Sequence, residues 1–458
     1  MLSRFKNIIE QSSRFGMDTV VILACSGGVD SMVMLDLFQR YAKLTPAHLV
    51  VAHINHHLRD SADEDEEFLR DYANEQGLEF LARDTDVKSI AEETSQSVEM
   101  AARQERYKLL ESIREEKDGE VICTAHTKSD QAETVLMRII HGTGVHGAQG
   151  IRRQRGNIFR PLLDFTREEI ETSAADHDIP FREDPSNTDQ SIERNWVRHT
   201  LIPLIADEMN PNVMESLAHF ASVQSEVARY MDSETEKALE TLLLSQSKHE
   251  IILDIRGLRN YFTALQKNII LRCLTDLRAS KHAISYPRMA QITDILIEGD
   301  SGQKMTLPGG IFLVRDREQA LITDRDWKDS FERKFRSDAK LSLGRYTVWV
   351  QPKKNVTDSE LKSSNEWDAY FDREALAERD LVWRTWEDGD TMQLSNGTTK
   401  KLSDIWIDTK TPLWEKHQLP LLAEGANILW IPGVKRSGFG WITDDSKEYL
   451  KISVRRTQ

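Results

Sequence analysis

The chain has 458 residues, with 60 Lys and Arg against 75 Asp and Glu, so its formal net charge is −15 at pH 7. This length exceeds what one ordinary hydrophobic core supports, and we expect about three domains. A mean hydropathy of −0.51 and the lack of an apolar run of about twenty residues argue against a membrane-spanning helix. The polar segment around Glu10 argues against a signal or transit peptide, so we expect a cytoplasmic protein with no membrane partner.

The cysteine pattern and the overall charge limit the classes of function. Cys25, Cys123 and Cys273 are widely spaced and form no CxxC pair, which indicates neither a zinc site nor a disulfide framework. Net negative charge counts against a nucleic-acid partner, because phosphate binding draws on Lys and Arg. Local basic clusters interrupt this acidic average: Arg152-Arg153-Gln154-Arg155, Lys400-Lys401, Lys435-Arg436 and Arg455-Arg456.

A glycine-rich loop lies between the first predicted strand and the first predicted helix that follows it. The apolar run 20–24 predicts the strand, and the periodic residues 32–38 predict the helix. Adjacent Gly27 and Gly28 let backbone N–H groups converge on one point, and the helix adds its positive N-terminal end, so the loop suits an anion. Ser26 and Ser31 add hydroxyl donors, although a simple serine-glycine turn is the alternative.

This loop does not match the two commonest nucleotide-binding motifs. It has neither the lysine of a GxxxxGK[ST] loop nor GxGxxG spacing, which disfavours phosphate handling of the kinase or GTPase type. It resembles the PP-loop of ATP pyrophosphatases, which bind ATP, expel pyrophosphate and make an adenylated intermediate. The resemblance implies that ATP contacts these residues: Ser26, Gly27, Gly28, Val29, Asp30 and Ser31.

Four apolar β-type runs predict an α/β fold with a doubly wound parallel sheet. The runs cover residues 20–24, 48–53, 78–82 and 120–124, and helical patterns of crossover length separate them. Ligands of such sheets bind beyond the carboxyl ends of the strands. Polar clusters follow the first, second and fourth runs, so we expect these clusters to converge there.

The cluster after the second run is rich in histidine. No cysteine or carboxylate lies at zinc-finger spacing around it, so we expect polar contacts with substrate instead of a metal site. We assign these contacts to His53, Asn55 and Arg59.

The cluster after the fourth run contains two carboxylates. Asp130 and Glu133 are three residues apart and share one face of a predicted helix, where they suit Mg²⁺ binding or proton acceptance. The alternative is an acidic helix N-terminus that complements the helix dipole.

Between the third and fourth runs, Arg103 and Arg106 share a helix face that suits phosphate or a base edge, with a plain surface pair as the alternative.

The second half of the chain changes character twice. Residues 210–277 show one-turn apolar spacing, which predicts a helical region, and residues 304–314 predict a β-hairpin. Nine of ten tryptophans lie beyond residue 326. We therefore predict a β-rich C-terminal domain whose tryptophans pack its core, with stacking on bases as the alternative.

Several motifs together resemble the tRNA(Ile)-lysidine synthetase family, and they occur in that family's order. The C-terminal stretches 388–404 and 419–433 are similar to the family's last domain. The motifs besides the PP-loop are His53-x-Asn55-His56-x-Leu58-Arg59, Met100-Ala101-Ala102-Arg103-x-x-Arg106-Tyr107, Asp130-Gln131-Ala132-Glu133-Thr134, Arg160-Pro161-Leu162-Leu163, Glu183-Asp184-x-Ser186-Asn187 and Arg194-Asn195-x-x-Arg198.

The chain departs from the family pattern at two places. Where the family commonly shows His-His-x-Asp-Asp, this chain has His126-Thr127-Lys128-Ser129-Asp130, so contacts through positions 127 and 129 are in question. The segment before Leu419-Pro420-Leu421-Leu422 lacks an arginine often found there, and Lys416 is the candidate replacement.

The resemblance implies an ATP-dependent carbon–nitrogen ligase that joins free L-lysine to C2 of the wobble cytidine of CAU-anticodon tRNA(Ile). It implies an adenylated tRNA intermediate, release of AMP and pyrophosphate, and partners that include this tRNA and lysine. The sequence leaves the oligomeric state open, with a homodimer as one alternative. Asp30, Asp130 and Glu133 are then catalytic, with Mg²⁺ on Asp30 and Asp130. The implied substrate and tRNA contacts are His53, Asn55, Arg59, Arg103, Arg106, Arg194 and Arg198.

The predicted domains are a PP-loop catalytic domain (residues 1–209), a mainly helical linker and tRNA domain (210–330), and a β-rich tRNA-binding domain (331–458).

Two other functions stay open. A PP-loop tRNA thiolase would deliver sulfur after adenylation, but such enzymes rely on reactive cysteines, and only Cys25 and Cys123 lie in the predicted catalytic domain. A non-catalytic tRNA-binding module would release no pyrophosphate.

Overall fold

The computed structural model describes residues 1–12, 14–58, 62–183, 189–277, 284–328, 330–357, 360, 365–377, 379–440, 442–443 and 446–457. The chain divides into two compact units, Met1–Tyr230 and Met231–Gln458. In the described ranges, no helix has the length and apolar character that crossing a membrane requires. The division into three domains at residues 209 and 330 remains a prediction.

The first unit is an α/β fold built on a mostly parallel sheet with strand order β3-β2-β1-β4-β6-β5. Its strands are β1 (Thr19–Ala24), β2 (Ala47–Asn55), β3 (Glu79–Asp84), β4 (Val121–Thr124), β5 (Gln154–Arg155) and β6 (Ile158–Phe159). Its helices are α1 (Leu2–Glu10), α2 (Val29–Ala42), α3 (Ala62–Glu75), α4 (Val87–Thr94), α5 (Val98–Glu116), α6 (Lys128–Ile140), α7 (Val145–Ala148), α8 (Arg167–Asp176), α9 (Glu193–Trp196) and α10 (Ile202–Glu208).

The strand register brings three loops to one edge of the sheet. Ala24 at the end of β1 pairs with Ala52 of β2 on one side and with Thr124 of β4 on the other, and both pairings are parallel. Alternate residues of β1 pack into separate cores, Leu23 with α1, α2 and α8, and Ile22 with α5. Helices therefore cover both faces, which confirms the predicted doubly wound fold and the convergence of the strand ends.

A short helical segment follows the sheet and packs against α6. It consists of α9, a π-helical turn at Val197–Leu201, and α10 without interruption. Val197 and Ile202 of this segment form a buried cluster with Leu136 and Met137 of α6. The contact holds the side chains of α9 and the π-helical turn beside the first turns of α6.

Helix α11 (Val213–Leu242) contains the boundary between the two units. The elements after it are β7 (Leu243–Gln246), β8 (Glu250–Asp254), α12 (Ile255–Leu258), α13 (Thr263–Asp276), α14 (Tyr286–Ile297), β9 (Lys304–Leu307), β10 (Ile311–Asp316), β11 (Gln319–Thr323), β12 (Glu332–Lys334), β13 (Ala339–Leu343), β14 (Tyr346–Lys353), β15 (Asp368–Asp372), α15 (Arg373–Ala377), β16 (Val382–Arg384), β17 (Thr391–Gln393), β18 (Thr399–Lys401), α16 (Leu402–Asp408), α17 (Leu413–Lys416), β19 (Leu421–Glu424), β20 (Asn427–Ile431), β21 (Lys435–Arg436) and β22 (Tyr449–Arg456).

The second unit contains more β-structure than its sequence pattern predicts. β9 and β10 form the predicted hairpin, with Leu307 opposite Ile311, but they belong to a sheet of order β7-β8-β11-β10-β9. Strands β7 and β8 interrupt the region predicted as helical, because the run Ile251-Ile252-Leu253 is buried in that sheet. Two further sheets follow, of order β12-β16-β19-β20-β17-β18, with β21 on β20, and β13-β14-β22-β15.

The tryptophans of the second unit mainly fill its core. Trp383, Trp406 and Trp414 are among its largest fully buried side chains, and Trp430 is 2% exposed. Buried indole rings cannot stack on bases. The prediction that these tryptophans pack the β-rich core is confirmed for these four.

Candidate active site

The PP-loop joins β1 to α2 and is braced by its own serine. Gly27 has φ +85°, a conformation that favours glycine, and Gly28 is the N-cap of α2. The Ser31 Oγ donates to the Gly28 carbonyl oxygen at 2.8 Å and accepts from the Ser26 N–H at 3.2 Å. Ser31 is buried while Ser26 is exposed, so the loop presents its first serine outward and uses its last one internally.

A second segment fixes the same loop from outside. The backbone N–H of Arg182 donates to the Gly27 carbonyl oxygen at 3.0 Å. The Arg182 guanidinium pairs with Glu64 at 2.6 Å and with buried Asp65 at 2.7 Å, both on α3. Arg182 therefore ties α3 to the PP-loop, a link that the sequence analysis did not predict.

Asp30 is a carboxylate with one satisfied oxygen. Its Oδ2 accepts a hydrogen bond from Arg167 Nη1 at 2.9 Å, whereas its Oδ1 is buried and has no hydrogen-bond partner among the described residues. Burial raises the pKa of Asp30 to about 6; Arg167 opposes this shift and the nearby Asp130 carboxylate adds to it. The positive charge of Arg167 therefore does not fully offset the cost of burying the negative charge of Asp30.

Asp130, Glu133, Arg194 and Arg198 form one ion-pair network. Glu133 is 1% exposed and accepts from Arg194 Nε at 2.8 Å and from Arg198 Nε at 2.5 Å. Asp130 Oδ1 accepts from Arg194 Nη2 at 2.9 Å and from Arg198 Nη2 at 3.3 Å. Four residues that the sequence assigned to separate tasks, two to chemistry and two to tRNA, therefore contact one another.

Asp130 also starts the helix that carries Glu133. Thr127 caps α6, and the Asp130 Oδ2 accepts from the Thr127 N–H at 2.8 Å, which completes a capping box. Burial alone would raise the pKa of Asp130, but Arg194, His126, the Thr127 N–H and Arg198 outweigh it and hold the pKa below its usual range. The family departure at Thr127 thus supplies the helix cap.

The fit of these carboxylates to Mg²⁺ differs. No group of three or more His, Cys, Asp or Glu with metal-binding geometry occurs among the described residues. Mg²⁺ is commonly held by one or two carboxylates together with substrate phosphates, so a protein cage is not required. Asp30 fits because its Oδ1 is free, whereas both oxygens of Asp130 already accept hydrogen bonds.

Comparisons with known proteins agree along the whole chain. Residues 1–205 match the PP-loop domain family, and residues 381–452 match the TilS substrate C-terminal domain. The tRNA(Ile)-lysidine synthase of Geobacter sulfurreducens is 30% identical over 95% of this chain and 93% of its own length. That of Caldanaerobacter subterraneus is 28% identical over 100% of this chain and 98% of its own length.

The chain belongs to the tRNA(Ile)-lysidine synthase family. The family resemblance inferred from the motifs is confirmed, and with it the expectation of an ATP-using ligase with a PP-loop fold. A third relative, from Clostridium perfringens, is 29% identical over 99% of both chains. The similarity therefore extends through the middle region, which neither domain family covers.

Two of the predicted substrate contacts in this lysidine synthase family member are buried. His53 Nδ1 lies 2.9 Å from the carbonyl oxygen of Cys25, the residue that follows β1. Asn55 is 1% exposed; its Nδ2 donates to Asp63 at 2.9 Å and its Oδ1 accepts from the His57 N–H at 3.0 Å. Both side chains make hydrogen bonds within the protein at the carboxyl end of the sheet. Their contact with substrate stays a prediction. Arg59 lies outside the described residues.

Arg103 and Arg106 both lie close to the phenol ring of Tyr107. Their guanidinium carbons are 5.6 Å and 5.3 Å from the centre of the Tyr107 ring, and Arg160 Nη2 donates to the Tyr107 hydroxyl at 3.3 Å. Burial would raise the pKa of Tyr107, but the three arginines outweigh it and lower that pKa. This concentration of positive charge suits an anionic ligand, and Arg160 was not predicted as part of it.

The cysteines of the first unit are poor nucleophiles. Burial raises the pKa of Cys25 to about 12 and holds the pKa of Cys123 well above its usual value. Since the thiolate is the reactive form, neither thiol is prepared for sulfur transfer. The thiolase alternative is accordingly less supported than lysidine synthesis.

Proposed function

We propose that this chain uses ATP to join free L-lysine to C2 of the wobble cytidine in CAU-anticodon tRNA(Ile), forming lysidine, AMP and pyrophosphate through an adenylated tRNA. One observation carries this proposal. The chain belongs to this family, and its strand register brings the PP-loop and three carboxylates to the same edge of one sheet. The pairing of β1 with β2 and β4 aligns their carboxyl ends, beyond which Asp30, Asp130 and Glu133 lie.

In the first step the cytidine O2 attacks the α-phosphorus of ATP. The bond from that phosphorus to the bridging oxygen breaks, and pyrophosphate leaves with the electron pair. The backbone donors of the PP-loop and the N-terminal end of α2 stabilise the charge on pyrophosphate. Asp30 would hold Mg²⁺, which, when bound, supplies charge neutralisation for the phosphates.

In the second step the lysine ε-amine attacks C2, the C2–O bond breaks and AMP leaves with its electron pair. The amine has an ordinary pKa of about 10.4, so a base must remove its proton near neutral pH. Glu133 and Asp130 are the candidate bases. Among the described residues, the hydrogen bonds to their oxygens come from Arg194, Arg198 and Thr127, and a shift of one arginine would open an oxygen to the lysine amine.

The target base lies in a single-stranded loop, where RNA recognition relies on splayed and stacked bases. Arg103 is exposed beside the Tyr107 ring, and Arg106 Nε is buried without a hydrogen-bond partner among the described residues. These two arginines are our candidates for anticodon-loop phosphates or base edges. A homodimer remains a prediction.

The deciding experiment measures transfer of labelled lysine to two tRNA(Ile) transcripts that differ only at the wobble position. ATP-dependent label on the CAU transcript, and none on the version with the wobble cytidine changed to uridine, is the expected result. Pyrophosphate release without label would indicate a different nucleophile and favour a thiolase. An absence of pyrophosphate release would leave only a binding module.

A further inference from the structure

Arg167 is paired with Asp30, although no motif assigned it to the site. It is the first residue of α8, and its Nη1 donates to Asp30 Oδ2 at 2.9 Å. Its Nε donates to Glu171, one turn along the same helix, at 2.6 Å. Thr166 caps α8 and Ile170 is buried in the core beneath it, so the backbone of Arg167 is fixed beside the PP-loop.

The side chain of Arg167 is held less firmly than the other arginines of the site. It is 45% exposed and gives Asp30 a single hydrogen bond. Arg194 and Arg198 each contact both Asp130 and Glu133. If the Arg167 side chain leaves Asp30, it still pairs with Glu171. Displacement of Arg194 or Arg198 would instead remove an ion-pair partner from Glu133, which is buried. Of these three arginines, Arg167 is therefore the easiest to move.

We propose that Arg167 is a movable counter-ion of the nucleotide site: it neutralises Asp30 before nucleotide binds, yields Asp30 to Mg²⁺, and then pairs with the pyrophosphate oxygens. The inference rests on the proposed function, because it assumes that this site expels pyrophosphate from ATP. A guanidinium presents several N–H donors in a planar fork that matches phosphate oxygens, so the second pairing replaces the first without loss of charge neutralisation.

Two binding measurements on the 458-residue chain, with no nucleotide added, test this role without relying on catalysis. Mn²⁺, which takes the same oxygen ligands as Mg²⁺, is titrated and its free fraction followed by electron paramagnetic resonance. Pyrophosphate binding is measured by calorimetry at fixed Mg²⁺. The variants are Arg167→Ala, Arg167→Lys and Asp30→Asn, the last of which defines Mn²⁺ binding elsewhere on this acidic chain.

Arg4→Ala is the matched control. Arg4 also pairs with α8, through Glu169 at 2.9 Å, and its side chain is 48% exposed, but it does not contact Asp30. The control therefore removes an arginine–helix contact of similar exposure while leaving the PP-loop unchanged.

Loss of Arg167 is expected to move the two affinities in opposite directions. Mn²⁺ should bind Arg167→Ala about threefold more tightly, since an exposed competing ion pair is gone. Pyrophosphate should bind it about tenfold more weakly, since a charged hydrogen-bond donor is gone. Arg167→Lys should recover part of the pyrophosphate affinity, and Arg4→Ala should match the wild type in both titrations.

A purely structural role for Arg167 would weaken both ligands together, and that result would overturn the proposal, as would unchanged affinities or equal effects in Arg4→Ala. Neither titration uses tRNA or lysine. If opposite shifts occur but the wild type makes no lysidine, the counter-ion role stands and the proposed function fails. If lysidine forms and the shifts are absent, only the counter-ion role fails.

Discussion

Asp30 and Glu133 lie at the same edge of the sheet, yet their surroundings prepare them for different tasks. The Asp30 side chain is 29% exposed, pairs with the half-exposed Arg167, and among the described residues keeps one buried oxygen without a hydrogen-bond partner. Glu133 is 1% exposed, and both of its oxygens accept from half-buried arginines. The contrast separates a carboxylate that can accept a new ligand from one that is already fixed in position.

The largest effect should follow the loss of the available carboxylate. Asp30→Ala is expected to lower the rate of pyrophosphate release by about 10³-fold, because the variant lacks the carboxylate that would hold Mg²⁺ beside the phosphates of ATP. Release of labelled pyrophosphate from ATP in the presence of tRNA measures this. Asp36→Ala is the control, since Asp36 lies on the same helix and pairs with Arg40 away from the loop. Normal turnover in Asp30→Ala would remove the distinction between the two carboxylates.

The fixed carboxylate should affect the second step alone. Glu133→Gln is expected to slow lysine transfer by about 10²-fold through the lost base while leaving pyrophosphate release within a few-fold of wild type. Single-turnover assays on pre-adenylated tRNA separate the two steps. Glu215→Gln is the control for general disturbance of α6. It removes the exposed ion-pair partner of Lys128, which lies on α6 as Glu133 does. Equal loss in both steps would mean that Glu133 only supports the fold.

The surroundings of Asp30 also predict that the stability of the fold depends on pH. The pKa of Asp30 is raised from 3.8 to about 6, so the folded protein binds this proton more tightly than the unfolded chain does. The contribution of Asp30 to the free energy of unfolding therefore falls as pH rises through this window. Asp30→Asn should be about 2 kcal/mol more stable than wild type at pH 7 and equal to it below about pH 4. Urea unfolding without Mg²⁺ at both pH values measures this, and a destabilised Asp30→Asn at pH 7 would contradict it.

The smallest expected effect concerns the loop that carries Asp30. Gly27→Ala should lower the free energy of unfolding by about 1–2 kcal/mol, because its φ of +85° is strained for alanine. Gly28→Ala should stay close to wild type, because its added Cβ would contact only the Ser26 Oγ, at 3.6 Å, and its φ is −75°. Denaturant unfolding of the pair measures the difference. Equal losses in both variants would show that crowding, not backbone strain, limits the loop.

Local sequence patterns predicted the parts of the first unit that local interactions create. The strand runs, the loop at Gly27 and Gly28, and the α6 face of Asp130 and Glu133 all follow from periodicity and backbone preference. The partners of those carboxylates did not follow. Arg194 is 61 positions from Glu133 and Arg167 is 137 positions from Asp30, and no periodic signal connects residues so far apart. Burial of His53 and Asn55 likewise depends on the folded edge as a whole.

The capping box of α6 has a consequence for mutational screens of this enzyme. Asp130 holds the first turn of the helix through the Thr127 N–H and at the same time faces Arg194 through its other oxygen. A substitution there alters the start of the helix, and with it the placement of Glu133, together with the local charge. Loss of activity at position 130 therefore combines a change in the helix start with a change in local charge, whereas a substitution at Asp30 leaves the capping box of α6 intact.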